Sequence, residues 1–445
     1  MQLKNKPSIR QALATASCAL LATQPLIAAE SGDWVINLGT LFYDEKDRVS
    51  IVEPIAIVTY NYDDEDYVSL RLVNDTMTGA SHNGASISSQ SQTIPTHTTT
   101  SASGSAGPGT DTVVSPFAIP LSDFSDQRNA VGIDWQKAHS RTFRTIIGGN
   151  ASVENDYNSF GSSVTFQRDT DDKLTTFTLG LALSIDAVKP GGGTPKPLAV
   201  LSSSDVNSRD DDDDDDEEDD HDDEDAADAA EHKLLTDVLV GITQVVSRNV
   251  LTQLNYSIGQ SRGYLTDPYK IISRVDPTSG VTVDYLTEKR PDNRLRQAFY
   301  WKAAIHLPKD VVHLSYRYYW DDWSITAHTA EIKYYFNMGD HFYLMPSFRY
   351  YKQSGAKFFK YSLLNDQSLP DYASADLRLA PLQSTTRGLK IGYNFGRNTE
   401  VSFRAEYMQQ WGEKNPSEAV GLQRQLDLFP NLEVTMYTVE ISMDF

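Results

Sequence analysis

The chain has a single cysteine, Cys18, and it falls within a stretch read as a removable leader. A mature chain without it has no disulfide, no thiolate metal site and no cysteine nucleophile. Beyond that leader the sequence lacks any run of about twenty apolar residues, which excludes a membrane-spanning helix. It also lacks a basic stripe. Lys and Arg total 39 against 61 Asp and Glu, so nothing here can neutralise a phosphate backbone, and nucleic-acid binding is excluded.

The acidity is local. Residues 210–231 hold 17 acids and no Lys or Arg, and without them the formal charge of -22 shrinks to -5. No folded core can contain so dense a run, because each carboxylate repels its neighbours and is costly to desolvate. Residues 205–232 are therefore expected to form a disordered acidic loop that gathers divalent cations diffusely. It lacks the Asp-x-Asp-x-Asp-Gly spacing of a built calcium loop. The candidate ligands of any discrete metal site in it are Asp213, Asp216, Asp219, His221 and Asp222.

What the sequence does have begins with a leader. Lys4, Lys6 and Arg10 precede a short apolar stretch at 12–22, and "LIAA" offers a cleavage site near Ala28 or Ala29. That is the layout of a secretory signal peptide over residues 1–29. Thr15 stands where a lipoprotein signal needs an aliphatic residue, which argues against lipidation at Cys18.

The remainder is written in period two. In "VTMYTVEISMDF", Tyr437, Val439, Ile441, Met443 and Phe445 alternate with Thr438, Glu440, Ser442 and Asp444. Phe177, Leu179, Leu181, Leu183 and Ile185 alternate in the same way with small or polar residues. Such runs are strands with one apolar and one polar face. Soluble sandwich strands average nearer 5–6 residues, whereas these have the length of tilted bilayer-crossing strands, with aromatics at their ends.

Strands are expected at 34–43, 48–61, 66–74, 128–139, 142–154, 158–168, 173–186 and 236–247. The rest are expected at 250–260, 294–307, 311–321, 325–336, 341–352, 384–396, 399–410 and 434–445. "FFKYSLL" and "ADLRLAPL" are candidates for strand extensions or additional strands. The connections support the count. Counted from a periplasmic N-terminus, every even connection is a short turn, and the long ones at 75–127, 187–235, 261–293, 353–383 and 411–433 are all odd. The expected fold is all-β: an antiparallel transmembrane β-barrel of about 16 strands over residues 30–445, with long extracellular loops. Its expected setting is the bacterial outer membrane, with membrane lipids as partners. If the apolar faces meet lipid, Arg317, Arg349, Lys390, Arg404, Glu406, Glu440 and Asp444 face the lumen.

One segment carries a chemical motif. "NDTMTGASHNGAS", residues 74–86, follows the third expected strand and resembles the acceptor of covalently flavinylated extracytosolic proteins, Asp-x-x-Ser/Thr-Gly-Ala-Thr/Ser. The resemblance implies Asp75 as the acid and Thr78, Gly79 and Ala80 as the middle. Ser81 is then the hydroxyl to which a flavin transferase would join FMN. Thr is usual at that last position, and Ser81 departs from it. A Gly/Ser-rich turn at the barrel mouth accounts for the same residues.

This early motif, a long variable loop and an alternating C-terminal half ending in Phe together resemble domain-of-unknown-function family 3570. That resemblance spans nearly all of the mature chain. It implies an outer-membrane-type barrel whose genes lie near flavin transferases and small lipoproteins, and no established activity. The barrel proteases and phospholipases of such membranes place Ser, His and an acid on adjacent strands, and no such grouping is present. His139, His313 and His328 read as turn or lumen residues. The chain is therefore expected to be a channel or envelope scaffold and not an enzyme. The alternative is a redox-associated barrel that carries or docks covalent FMN, with a flavin transferase and envelope redox proteins as partners.

Overall fold

A computed structural model describes residues 32–95, 111–191, 193–201, 230–396 and 398–445. The expected signal peptide and the metal-ligand candidates Asp213, Asp216, Asp219, His221 and Asp222 lie outside the described residues.

Sixteen antiparallel strands close into a barrel. The first eight are β1 (Trp34–Glu45), β2 (Val49–Asp63), β3 (Asp66–His82), β4 (Leu121–Ser140), β5 (Phe143–Val153), β6 (Tyr157–Asp169), β7 (Thr175–Val188) and β8 (Glu231–Ser247). The second eight are β9 (Val250–Gly263), β10 (Asn293–His306), β11 (Val311–Asp321), β12 (Thr326–Met338), β13 (Phe342–Gln353), β14 (Leu382–Phe395), β15 (Thr399–Gly412) and β16 (Leu432–Asp444). Each pairs with its neighbours in sequence, and β1 pairs with β16 from Val35↔Asp444 to Glu45↔Val434.

The wall is inside-out relative to a soluble sheet. On β7, Phe177, Leu179, Leu181, Leu183 and Ile185 are 41–60% exposed on the outer face. Thr178, Ala182, Ser184 and Asp186 face inward and are at most 5% exposed. Leaving a row of large apolar side chains uncovered is costly in water and favourable in hydrocarbon, so the outer face is a lipid-facing belt. Aromatic residues border it. Near the short turns Trp34 packs on Tyr60 with ring centroids 4.6 Å apart, and Trp135 Nε1 donates to the Tyr62 hydroxyl at 2.7 Å. Toward the other end Tyr318 stacks on Trp320 at 5.2 Å. His328, expected in a turn or the lumen, instead joins this outer group through its Nδ1, 2.7 Å from the Tyr316 hydroxyl.

Three strands run further than expected. β3 continues to His82 and β4 begins at Leu121, paired from Asp75↔Arg128 to His82↔Leu121. The flavin-acceptor motif is therefore strand and not loop. Alternation failed to reveal this because the outer face turns polar there, with Thr76, Thr78, Gln127 and Asn129 beyond the apolar belt. β8 starts at Glu231, pairing Glu231↔Val188 and His232↔Ala187, so the acidic loop ends before those residues. "FFKYSLL" and "ADLRLAPL" supply no additional barrel strand, although Leu382 at the end of the second opens β14 two residues earlier than expected. They contribute the two-residue strand Leu363–Leu364 and the 3-10 turn Leu377–Leu379 above the rim.

If the belt meets lipid, Leu181→Arg at mid-strand costs about 2–4 kcal/mol. Leu174→Arg, in a short turn, costs at most about 1 kcal/mol. Denaturant unfolding in lipid vesicles measures both, and equal small effects would mean that the outer wall faces water.

Candidate functional site

The long connections converge at one end. Residues 271–275, 282–287 and 363–364 form a three-stranded sheet, and 92–94 pairs with 112–114. Three apolar nuclei lie among them, one of which joins Ala85, Ile94, Val114, Ile271 and Tyr285 across the two small sheets. Another contains Trp323, Phe358, Leu379 and Phe429, and the third Ile272, Leu286, Ala373 and Ala375. The loops that meet rise from β3, β9 and β13, which stand well apart around the ring. The Ser86 amide donates to Ser273 Oγ at 2.9 Å, and Ser86 Oγ donates to the Tyr361 carbonyl at 2.8 Å. Bonds between loops so placed have to cross the opening, so the loops form a cap over that mouth. Gly84, at φ +103°, makes a close approach there. A Cβ there would stand 2.1 Å from the Ile271 carbonyl oxygen, so only glycine fits.

Inside the cap, three acids and three bases are buried together. Arg378 pairs with Asp267 at 2.6 Å and with Asp376 at 2.5 Å. Arg290 pairs with Glu288 at 2.5 Å and with Asp376 at 2.8 Å. The Lys270 ammonium donates to the His82 carbonyl at the top of β3. The Asp267 amide donates to Glu288 Oε1 at 2.7 Å, and Ser374 Oγ donates to Glu288 Oε2 at 2.5 Å.

Burial works against ionisation of Asp376, yet Arg378 and Arg290 hold it well below the usual carboxylate range. Asp267 is lowered for the same reason, chiefly by Arg378, against its own burial. Burial pushes Glu288 up. The network was not foreseen, since its members come from three separate segments with no shared spacing. The only sequence signal was charge of both signs inside loops otherwise apolar, as in "DPYKIISRVD" and "ADLRLAPL".

The motif residues have structural employment. Gly79, at φ +129°, lies against the start of β2, where a Cβ would come within 2.0 Å of the Arg48 carbonyl oxygen. The Ala80 amide donates to that same carbonyl at 3.0 Å. Asp75 is buried and ion-paired to Arg128. Thr78 is exposed, while Ser81 is half-buried and paired with Ser122 across the β3–β4 ladder, not displayed on a loop. Nearby, Asp126 on β4 meets Glu154 and Asp156 of the β5–β6 turn. Burial, with Asp126 adjacent, pushes the Glu154 carboxyl up to about 8.

The expected lumen set keeps its inward parity. Lys390 pairs with Glu440 at 2.6 Å, and Arg404 lies across from Lys390 and Thr438. Glu406 is opposite Gly388, and Asp444 is opposite Val35 near the short turns. Arg317 and Arg349 alternate with outward aromatics and are nevertheless exposed. Neighbouring inward positions add Lys302 and Lys333, and Glu331 is directly across from Arg349. On β2–β5 the inward charges include Glu53, Asp75, Asp126 and Asp134, with Arg71 and Arg128 among them. Arg144 is also inward on β5, so this wall carries both signs while the first is mainly basic.

Asp376→Asn leaves Arg290 and Arg378 short of counter-charge and should destabilise the cap by about 3–5 kcal/mol. Hydrogen exchange in 264–292 and 354–381 reads that loss, with heat-modifiable migration of the barrel unchanged. Depressed carboxylate values contribute stability above the ordinary aspartate range, and that stability is lost as pH falls through the depressed value. Cap exchange in the wild type should therefore accelerate on acidification below about pH 4. The raised Glu288 acts with the opposite sign, its contribution fading as pH rises. An acid-insensitive cap would remove Asp376 and Asp267 as its ties.

No curated protein matches the chain in sequence. Among solved structures it is similar to a bacterial polysaccharide outer membrane secretin, at 7% identity and TM-score 0.42, over 94% of this chain and 99% of that one. It is also similar to OccK3 (OpdO) of Pseudomonas aeruginosa, at 7% identity and TM-score 0.38, over 94% and 96% of the two chains. Against the siderophore receptor PirA of Acinetobacter baumannii, identity is 10% and TM-score 0.40, and the match takes in 87% of this chain but 54% of the receptor. The fold assignment rests on the closed ladder and not on these likenesses. A family model matches residues 10–443, and the chain belongs to that family, described as Protein of unknown function (DUF3570).

Proposed function

We propose that this protein is a channel of the bacterial outer membrane, closed at its long-loop end by a salt-bridged cap and selective for small anionic solutes. The observation that carries the reading is the exposure of Arg317 and Arg349 on the inward parity of β11 and β13. A barrel packed solid with its own side chains would bury them, because an arginine kept from water needs full pairing. Their exposure calls for water inside. A wide lumen is what sixteen strands provide.

Charge lining a water-filled passage with low-dielectric walls focuses the field on whatever enters. Lys302, Arg317, Lys333 and Arg349 outnumber Glu331 on their wall, so an anion is drawn along it. Both chain ends of the barrel lie with the short turns, where the Trp34 amide donates to the Phe445 carbonyl at 3.0 Å. In the proposed orientation that end is periplasmic and the cap faces outside. The flavin-carrying alternative rests on Ser81 alone, and an intact mass equal to that of the unmodified chain would remove it.

Planar-bilayer recording tests the channel. Wild-type protein should show infrequent ion steps, and Asp376→Asn should open more often by loosening the cap. In a salt gradient the reversal potential should indicate anion preference, and Arg317→Glu with Arg349→Glu should turn it toward cations. Silence from both wild type and Asp376→Asn would leave an envelope scaffold. An unchanged reversal potential would detach the basic wall from permeation.

A further inference from the structure

The carboxylates where the barrel rim meets the cap form a second candidate site, separate from the acidic loop. Asp126 points inward from β4, while Glu154 and Asp156 sit in the tight turn between β5 and β6. One oxygen from each of the three lies within 4.8 Å of the others. Calcium holds its oxygens at about 2.3–2.6 Å, so ligands on opposite sides of one ion stand about 4.6–5.2 Å apart. The three oxygens fit around a single ion of that kind.

An independent observation points to a missing ligand. Asp156 is 8% exposed, and its Oδ2 accepts the Tyr269 hydroxyl at 2.7 Å. Its Oδ1 is buried with no hydrogen-bond partner. Asp75, within electrostatic reach of Glu154, is 3% exposed and is held by Arg128, with Glu53 beside it. A buried carboxylate oxygen left unsatisfied is costly, and native proteins fill such positions with a donor, a water or a cation.

The acids here outnumber the bases, a crowding that either a proton on Glu154 or a bound cation relieves. Asp75, Asp126, Glu154 and Asp156 stand around Arg128, and Lys233 reaches Glu154 from β8. Two cations meet four carboxylates, with Glu53 beside Asp75 as a fifth. Every donor at the centre is a carboxylate oxygen, the set that hard divalent ions prefer over softer metals.

We infer that Asp126, Glu154 and Asp156 bind one hard divalent cation of the calcium class, and that the ion fastens the cap to the rim. The link runs through Tyr269, a cap residue whose hydroxyl already bonds Asp156. Drawing Asp156 onto an ion fixes the carboxylate that Tyr269 holds, and with it the loop 264–292 that carries the salt-bridged network. Calcium outside the cell would then keep the mouth covered, and chelation would free it.

The test uses full-length protein in detergent micelles, with terbium as the probe and calcium as its competitor. Tyrosine excitation sensitises terbium emission only at close range, and Tyr269 and Tyr157 flank the site. The acidic stretch 202–229 contains no aromatic residue, so ions held there are not reported by its own side chains. Wild type should give saturable sensitised emission that calcium displaces at about 10⁻⁴–10⁻³ M, the range of extracellular modules. Glu154→Gln with Asp156→Asn should weaken that affinity by tenfold or more, an order typical of damage to a metal site. Asp126→Asn, on a different element, should do the same.

Equilibrium dialysis should find one calcium fewer per chain in the double variant, a difference that diffuse binding to the acidic loop cancels out. Calcium should also protect residues 264–292 from protease in wild type and not in the double variant, with heat-modifiable migration confirming that both barrels are folded. Equal emission and equal stoichiometry in wild type and variants would overturn the site. So would a double variant whose cap resists protease better than wild type with and without calcium, since the cluster would then be holding a proton and not an ion.

Discussion

A backbone crossing hydrocarbon has no water to bond to, and this requirement governs everything else in the molecule. It is met by a ladder with no free edge. β1 pairs along its length with β16, and the Trp34 and Phe445 backbones exchange hydrogen bonds at 3.0 and 2.9 Å where the ring closes. Once the ladder is closed, every side chain has one of two solvents. Odd and even positions must differ in polarity, and the sense of that difference is opposite to that of a soluble sheet. The apolar belt, the charged interior and the aromatic borders all follow from closure.

Closure creates a problem at its own rim. Strands that end at the membrane surface leave connections of very different length, and those at one end are long enough to build a second structure. The cap solves it with two devices used in different places. Apolar nuclei around Phe429 and Leu286 provide cohesion without direction. The buried ion-pair network provides direction with little net gain in stability, since its desolvation offsets much of its attraction. A charge-neutral arrangement of this type fits one set of loop positions and penalises others. It suits a cap that must settle in one place and can also be released.

The fold was legible because lipid-facing alternation is a strong signal over ten residues, as on β7 and β16. Legibility ended where that signal did. The outer ends of β3 and β4 are strand by pairing, but their outward face is polar and the inward one mixes Met77 and Phe124 with Asp75 and Asp126, so Asp75 through Ser81 read as a loop when the residues are considered alone. The Asp-x-x-Thr-Gly-Ala-Ser pattern was visible, but not that Gly79 is required by the Arg48 carbonyl. The carboxylates of the rim were harder still. Asp126 is far in sequence from Glu154 and Asp156, and only the β4–β5 and β5–β6 pairings bring them together. The salt-bridged network has the same origin, residues from 267, 288–290 and 376–378 made neighbours by the ring beneath them.

The crossing bonds of the cap also order events in time. Ser86 and Tyr361 are 275 positions apart and touch only across the opening. Loops on β3, β9 and β13 can be brought within reach of one another only when the intervening strands have taken their places, because contacts this distant in sequence are the slowest to form. An incompletely zipped sheet therefore keeps Asp376 and Arg378 apart from their partners on the 264–292 loop. In the finished ring Asp376 and Arg378, carried beyond β13, are buried against Asp267, Glu288 and Arg290, carried beyond β9.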